Sequence, residues 1–520
     1  DRMKEDSKFA ERTTLNLTTE ILCVVLTTVI GLVMVPYYID QLGMAAYAVV
    51  PLAVSVSSYM IIVANSFSNA INRFFVQALR KDDPKDAART YSTSLKLMIW
   101  IAIVMLPLTA VISYYTPVIF DVPDGSYDSV RILFLCEFWS SIFLNFGTCF
   151  NNAMVVHNKT YVINCIRSLY LLIEIVGTVT MFTLLGAELE YIGYSYLIGI
   201  AVYVLASYIA MKRGFPDLKY RGKDADVPHM VEIGRLALWS AIVRIGNLMF
   251  LQASLIICNI MLGSEIQGGF SLVVSMVSMV GTACNAVTNV FYPFYHKYYS
   301  DRDYDNMVGI AVLGIKVLSL LIAMPLAYVC IFSPEIFTFW VGGEFVYLED
   351  TVWVMFVLLI FNCVAGIIET IPTILLKVRQ AAEITIITGA LNIVLAIVFV
   401  HYTDWGILGI AAAYTTAMFV RNGIILPIFV SRILEHRVMT FIWPMLFGFI
   451  AFLIGLGYCY GFSMVWDVKG TFLSILISFL VMFAIFFFVA FRFCLRKNEK
   501  EMLEQAMPSK LSGIFAKLFV

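Results

Sequence analysis

The 520-residue chain is 61% hydrophobic and 14% charged, whereas soluble globular proteins are about 45–50% apolar and about 25% charged. Together with a mean hydropathy of +0.86, this composition excludes a water-soluble globular protein. The formal net charge is −1, so the overall charge gives no reason to expect a nucleic-acid partner.

Apolar segments recur along the whole chain at a length suited to crossing a membrane. A helix needs about 20 mostly apolar residues to span a bilayer core about 30 Å thick. A window of about that length predicts about 14 transmembrane helices, and therefore an all-α integral membrane protein. The predicted spans are 16–38, 48–72, 93–114, 131–155, 163–185, 191–211, 236–262, 267–293, 307–332, 351–376, 383–402, 406–430, 441–463 and 471–494.

Positive charges are concentrated in alternate loops between these spans. Basic residues cluster at 80–89 and 212–223, for example, whereas the alternate loops, such as those with Asp121 and Glu188, carry acids. Because Lys and Arg tend to remain on the cytoplasmic side, the pattern predicts a multi-pass protein of the cytoplasmic membrane with both termini in the cytoplasm. Arg131 lies on the acidic side, and we expect it to pair locally with Glu137.

An internal repeat appears when the sequence is shifted against itself by 220 residues, which brings Leu42 onto Leu262. The same shift aligns Gly43 with Gly263, Gly186 with Gly406, Asn65 with Asn285 and Asn69 with Asn289. Transporters are commonly built from such repeats. We therefore predict an N-terminal lobe of six helices at 1–211, a cytoplasmic loop at 212–235, a second six-helix lobe at 236–430, two added helices at 431–494, and a cytoplasmic tail at 495–520. For the last segment the sequence allows two structures, an interfacial helix or a solvated tail.

Polar side chains inside spans mark candidate substrate contacts, because each ionisable group there costs roughly 2.5–3.5 kcal/mol and usually faces a cavity or a partner. Arg suits phosphate through its planar, bidentate fork. Hydrogen bonding between helices is the alternative for the asparagines, and extension to the cytoplasmic surface is the alternative for Arg73. The residues predicted to line a substrate cavity are Asn65, Asn69, Asn72, Arg73, Arg244, Asn247, Asn285, Asn289 and Lys316.

Two acidic residues inside spans, Glu174 and Glu369, have two possible roles. They could bind a coupling ion, or they could pair with cations for structure. Lys96, Arg235 and Arg421 lie within about two turns of the cytoplasmic surface and are expected to extend to it. The ten cysteines include no CxxC pair, so neither a metal site nor a cofactor is expected, and no catalytic residue is assigned.

The region 30–95 resembles a known transporter family. Pro36 near the end of the first span is followed by Leu42-Gly43, Tyr47, a helix of small residues ending at Arg73, and a polar loop at 80–89. This pattern resembles the amino-terminal signature of the polysaccharide flippases, the Wzx-like branch of the multidrug/oligosaccharidyl-lipid/polysaccharide exporter superfamily. One departure is Ala48, where relatives often have glycine after the tyrosine.

The resemblance implies two six-helix lobes around a central cavity, alternating access, and a polyprenyl-pyrophosphate-linked oligosaccharide as substrate. It also implies coupling to H+ or Na+, and a pathway that contains glycosyltransferases and a polysaccharide polymerase. A lipid II flippase and a multidrug exporter of the same superfamily are the alternatives. A membrane glycosyltransferase or polymerase is less favoured, because the longest predicted outer loop, 333–350, is too short for a catalytic domain.

Overall fold

The computed structural model describes residues 2–80, 84–156, 158–214, 216, 220, 227–375, 377–495, 497, 499 and 500. Within these ranges the description leaves out the side chains of residues 2–14, of most residues in 60–87 and 227–240, and of Leu17, Asn152, Ala153 and Val156. The part of the chain so described is almost entirely helical and contains no β-strand, which confirms the predicted all-α class.

The helices follow one another with short connections. In chain order they are α1 Arg2–Leu42, α2 Met44–Arg80, α3 Pro84–Ile119, α4 Tyr127–Val156, α5 Thr160–Leu185, α6 Leu189–Gly214, α7 Val227–Leu248, α8 Leu251–Leu262, α9 Ser264–Thr288, α10 Tyr292–Asp301, α11 Tyr304–Trp340, α12 Glu349–Phe356, α13 Leu359–Glu369, α14 Ile371–Ile374, α15 Val378–Tyr402, α16 Ile407–Phe419, α17 Leu426–Ile433, α18 Ile442–Ser463 and α19 Phe472–Cys494. A 3₁₀ segment, Gly343–Leu348, precedes α12, and a π-helical segment, Val420–Ile425, joins α16 to α17.

Among the described residues, 11 helices are long and apolar enough to cross a membrane, or up to 13 if each of two bent pairs counts as one span. The bends fall inside the predicted spans 236–262 and 351–376, where successive helices turn by 47° and 43°. The predicted span 48–72 lies on α2, whose apolar described part is Met44–Tyr59. The structure therefore has a helix or a bent helix pair at every predicted span.

The repeat detected in the sequence has a counterpart in the backbone. Gly43 and Gly263 both adopt positive φ angles, of 80° and 92°, and each occupies the single-residue link between two helices. Gly186 and Gly406, the other aligned pair, have φ angles of 99° and 52°. The turns of this second pair differ, because Gly186 follows the end of α5 whereas Gly406 precedes the start of α16. At Gly43 and Gly263 side chains rarely tolerate such angles, so the same one-residue turn favours glycine at both positions, which supports the predicted duplication.

Packing divides the chain into two compact units, Asp1–Ser271 and Leu272–Val520. In the first unit α4 packs against α2, α3 and α6, and α5 packs against α1 and α6. Helices α7 and α8 also pack on α2, which is why the packing boundary falls after the predicted lobe boundary at 211–236. A Cβ on Gly147 of α4 would lie 2.2 Å from the ring of Tyr203 on α6, so glycine permits this close helix contact.

In the second unit α11 is the central helix and packs against α18, α13 and α19. Its contact with α18 depends on small residues, because a Cβ on Gly448 would lie 2.3 Å from Ser319 Oγ. The predicted span 307–332 ends where this helix kinks at Phe332, which has non-helical angles. Pro334 follows two residues later and removes a helical hydrogen bond, so the helix bends there and continues to Trp340.

The loop between α3 and α4 is tied to the turn between α8 and α9 inside the first unit. Asp121 accepts a hydrogen bond from the backbone N–H of Ser264 at 2.6 Å and so caps α9. The side chain of Asn259 bonds the backbone N–H and C=O of Asp121, both at 3.0 Å. Nearby, the predicted pair of Arg131 with Glu137 is wrong, because Arg131 pairs with Asp128 at 2.9 Å.

Candidate transport site

The predicted cavity residues of α2 belong to a described helix, but their side chains do not belong to the described part of the structure. These residues are Asn65, Asn69, Asn72 and Arg73. The side chain of Arg235 on α7 likewise lies outside the described part of the structure. Their backbone spacing of three or four residues places the four α2 residues along one face of the helix. Their predicted role as substrate contacts therefore stays a prediction.

Two further polar pairs lie on exposed helix faces. Arg244 and Asn247 are one turn apart on α7, and Asn285 and Asn289 are one turn apart on α9. All four side chains are exposed, and none forms a hydrogen bond to another described side chain. Amides and a guanidinium are costly against hydrocarbon, so these two faces suit contact with water or with a polar ligand.

Lys316 has a partner. Its ammonium group pairs with the carboxylate of Glu499, from the short segment after α19. The two side chains are only 20% and 16% exposed. Lys316 also lines a cavity of about 710 Å³ formed by α11, the segment 437–440 and the start of α18.

The interior of the first unit holds two carboxyl groups, Glu137 on α4 and Glu174 on α5. Glu137 accepts a hydrogen bond from Ser57 Oγ of α2 at 3.1 Å, and the hydroxyl of Tyr170 bonds Glu174. The Oε2 atom of Glu174 is buried without a hydrogen-bond partner. Within the described part of the chain, neither carboxyl group forms an ion pair, although the two lie close enough for their charges to interact.

Glu369 belongs instead to a polar network around Arg421 in the second unit. Arg421 Nη2 donates to Glu369 Oε1 at 2.6 Å and to Thr385 Oγ1 at 3.1 Å. Its Nη1 donates to Asn422 Oδ1 at 2.9 Å, and Asn422 Nδ2 donates to Asn362 Oδ1 at 2.6 Å. The network thus joins α13, α15 and the π-helical segment, and such segments often occur at functional positions.

The expectation that Arg421 extends to the cytoplasmic surface is wrong, because the residue is only 7% exposed. Its partners Thr385 and Glu369 are 36 and 52 positions away in sequence, so no local pattern predicted these two contacts. Asn362 and Glu369 are seven residues apart, a spacing that places both on one helix face, and this was the available signal for the network.

Three comparisons with known proteins bear on this arrangement. The sequence model of the MatE family matches residues 18–180. A curated relative, the "Uncharacterized membrane protein EpsK" of Bacillus subtilis (strain 168), is 24% identical over 429 residues, which cover 82% of this chain and 85% of EpsK.

Two solved structures are similar in fold. A multidrug resistance MATE family transporter of the MOP superfamily, in an inward-facing conformation, aligns with a TM-score of 0.64 at 15% identity, over 84% of this chain and 98% of the other. The lipid II flippase MurJ, in an inward closed conformation, aligns with a TM-score of 0.63 at 14% identity, over 92% of this chain and 100% of the other. This chain therefore carries a MatE sequence match over residues 18–180 and has the fold of the MOP superfamily transporters.

Proposed function

We propose that this protein is a flippase that moves a polyprenyl-pyrophosphate-linked oligosaccharide across the cytoplasmic membrane by alternating access. The observation that carries the proposal is the charge of the unpaired side chain that is exposed inside a span, which is positive. Arg244 is exposed without an acidic partner among the described residues, whereas the exposed Glu369 is paired with Arg421, and Glu137 and Glu174 lie in the interior. The exposed Glu20 lies near the start of the first span. Exposed cations favour an anionic substrate.

The exposed groups also match the two parts of such a substrate. A guanidinium binds phosphate oxygens through parallel charged hydrogen bonds, and asparagine amides can donate to and accept from sugar hydroxyls. We assign Arg244, Asn247, Asn285 and Asn289 to this role, with Asn65, Asn69, Asn72 and Arg73 as predicted members. Lys316 is not in this set, because it lines the cavity between α11 and the start of α18.

We assign ion coupling to Glu174 rather than to Glu369. The Oε2 atom of Glu174 has no hydrogen-bond donor, so it can accept a proton or contribute to Na+ binding. Glu369 is held by Arg421 at 2.6 Å, and displacing that guanidinium would cost several hydrogen bonds. The charge alternation supports cytoplasmic termini, and the proposed substrate would be supplied by glycosyltransferases and consumed by a polymerase.

The solved structures that share this fold suggest two other substrates. The likeness to MurJ supports lipid II, which also consists of a sugar and a pyrophosphate on a lipid. The likeness to a MATE transporter supports a multidrug exporter, but for a cationic drug we would expect an exposed carboxylate without a cationic partner deep in a span, whereas the exposed Glu369 is paired with Arg421. We therefore retain lipid II as the second candidate and disfavour the drug.

Flipping in reconstituted vesicles tests the proposal. Labelled lipid-linked oligosaccharide, lipid II and a cationic dye would each be offered to the full chain, and transfer would be followed with a membrane-impermeant reagent. Removing one charged hydrogen bond is worth about 1.5–3 kcal/mol, so Arg244→Ala should slow flipping of the preferred lipid roughly tenfold to a hundredfold. Arg244→Lys should retain part of the rate.

Arg379 provides the matched control, because it is an exposed arginine that pairs with Glu383 on its own helix. Arg379→Ala should flip the lipid at the wild-type rate. Unchanged flipping in Arg244→Ala would rule out the cationic contact, and transport of the dye without either lipid would overturn the flippase assignment.

A further inference from the structure

The cavity at Lys316 has a different character from the exposed faces of α7 and α9. It lies within the second unit, between α11 and the start of α18, and its volume is about 710 Å³. Polar groups line one part of it, namely Lys316, Arg437 and Thr440. The rest is apolar and includes Val438 and Trp443.

The apolar part of the wall is open at the surface. Val438, Met439 and Trp443 are 37%, 52% and 67% exposed. The charge alternation places this segment, next to Arg432 and Arg437, at the cytoplasmic face of the membrane. Tryptophan is enriched at that depth, where its ring contacts both headgroups and acyl chains. The cavity thus offers cations and an apolar wall at the level of the lipid headgroups.

An anionic group of the chain itself already occupies the cationic part. Glu499 follows the last span and reaches Lys316 on α11, 183 positions earlier. The segment is anchored next to this pair, because Lys500 Nζ donates to the carbonyl of Arg492 at the end of α19 at 2.9 Å. A carboxylate held against an ammonium group that is only 20% exposed shows that the position accepts an anion.

We propose that this cavity binds the phosphate group of a membrane lipid, and that Glu499 occupies Lys316 when no lipid is bound. Lys316 and Arg437 hold the phosphate, and the first acyl or isoprenoid carbons lie along Val438 and Trp443. Basic pockets between helices at the cytoplasmic side bind anionic headgroups in this way. Glu499 would then leave Lys316 when the lipid binds.

Lipid retention measured by native mass spectrometry tests this site on the full purified chain. Phosphatidylglycerol and phosphatidylcholine with identical acyl chains would be supplied in equal amounts. One cation near the surface is worth about a fivefold change in lipid affinity. Lys316→Gln and Arg437→Gln should each lower the retention of phosphatidylglycerol by about that factor, while Glu499→Gln should raise it.

Glu383→Gln is the matched control for the acidic change, because Glu383 pairs with Arg379 at 2.8 Å on an exposed helix face. It should retain phosphatidylglycerol as the wild type does. If Lys316→Gln does not fold, Arg437→Gln decides, because Arg437 is exposed. Equal retention in wild type, Arg437→Gln and Glu499→Gln would overturn the proposal.

Competition identifies the source of the phosphate. Displacement of phosphatidylglycerol by polyprenyl phosphate at lower concentration assigns the cavity to the isoprenoid carrier, and the reverse order assigns it to bulk phospholipid. Both orders support a lipid-phosphate site. Displacement by inorganic phosphate alone at equal concentration would contradict it, because the apolar wall would then contribute nothing. None of these outcomes depends on flipping, so the site can be refuted while the flippase assignment stands.

Discussion

The ion pair of Arg421 with Glu369 tests how a buried charge is stabilised in the second unit. The side chain of Arg421 is 8% exposed, whereas that of Glu369 is 45% exposed. Glu369→Gln leaves a buried guanidinium without its counter-charge, and breaking a buried pair costs about 3–5 kcal/mol. Because water reaches the glutamate and screens the pair, we take a lower value of about 2–3 kcal/mol.

Replacing the arginine instead of the glutamate should have a smaller electrostatic cost in the free energy of unfolding. Arg421→Met leaves a half-exposed carboxylate that water can solvate, and its main loss is the hydrogen bonds to Thr385 and Asn422. Each such bond contributes about 1 kcal/mol. The double variant should be less destabilised than the sum of the two, by about 1–2 kcal/mol, because the residues share one network.

Unfolding of the purified protein by denaturing detergent would measure these differences. Glu383→Gln is the control, since the exposed pair of Glu383 with Arg379 should contribute no more than about 0.5 kcal/mol. The reasoning is refuted if Glu369→Gln costs no more than Glu383→Gln, or if the two single changes add in the double variant.

Two further predictions follow from the first unit and from the α11–α18 contact. Glu174→Gln should remove the dependence of flipping on a proton or sodium gradient while substrate binding persists. Flipping rates measured under imposed gradients test this prediction. Gradient-dependent flipping in that variant would exclude the assignment of ion coupling to Glu174. Gly448→Val should destabilise the fold by about 1–3 kcal/mol through overpacking, because its Cβ would lie 2.3 Å from Ser319 Oγ. Gly457→Val, where a Cβ meets nothing within 4 Å, should leave the unfolding midpoint nearly unchanged, and equal midpoints for both variants would contradict the packing argument.

The turns at aligned glycines show how far local sequence can predict tertiary features. Gly43 and Gly263 occur at the same offset as Asn65 and Asn285, and both have positive φ angles between helices. A backbone conformation that only glycine readily adopts is encoded locally, so the sequence comparison could anticipate it. By contrast, the 47° bend between α7 and α8 lies in a predicted span that contains no proline, and no residue pattern there predicted a break.

The membrane-spanning helical class of the chain could be predicted from the sequence, because each span is one continuous stretch of about 20 apolar residues whose burial in the bilayer is favourable. Charge alternation and the 220-residue repeat are likewise read along the chain. The pairing of charges, in contrast, became visible in the three-dimensional packing of the helices. Glu369 meets Arg421 across 52 positions and Lys316 meets Glu499 across 183. An ion pair depends on the distance between two groups in space, and helix packing sets that distance.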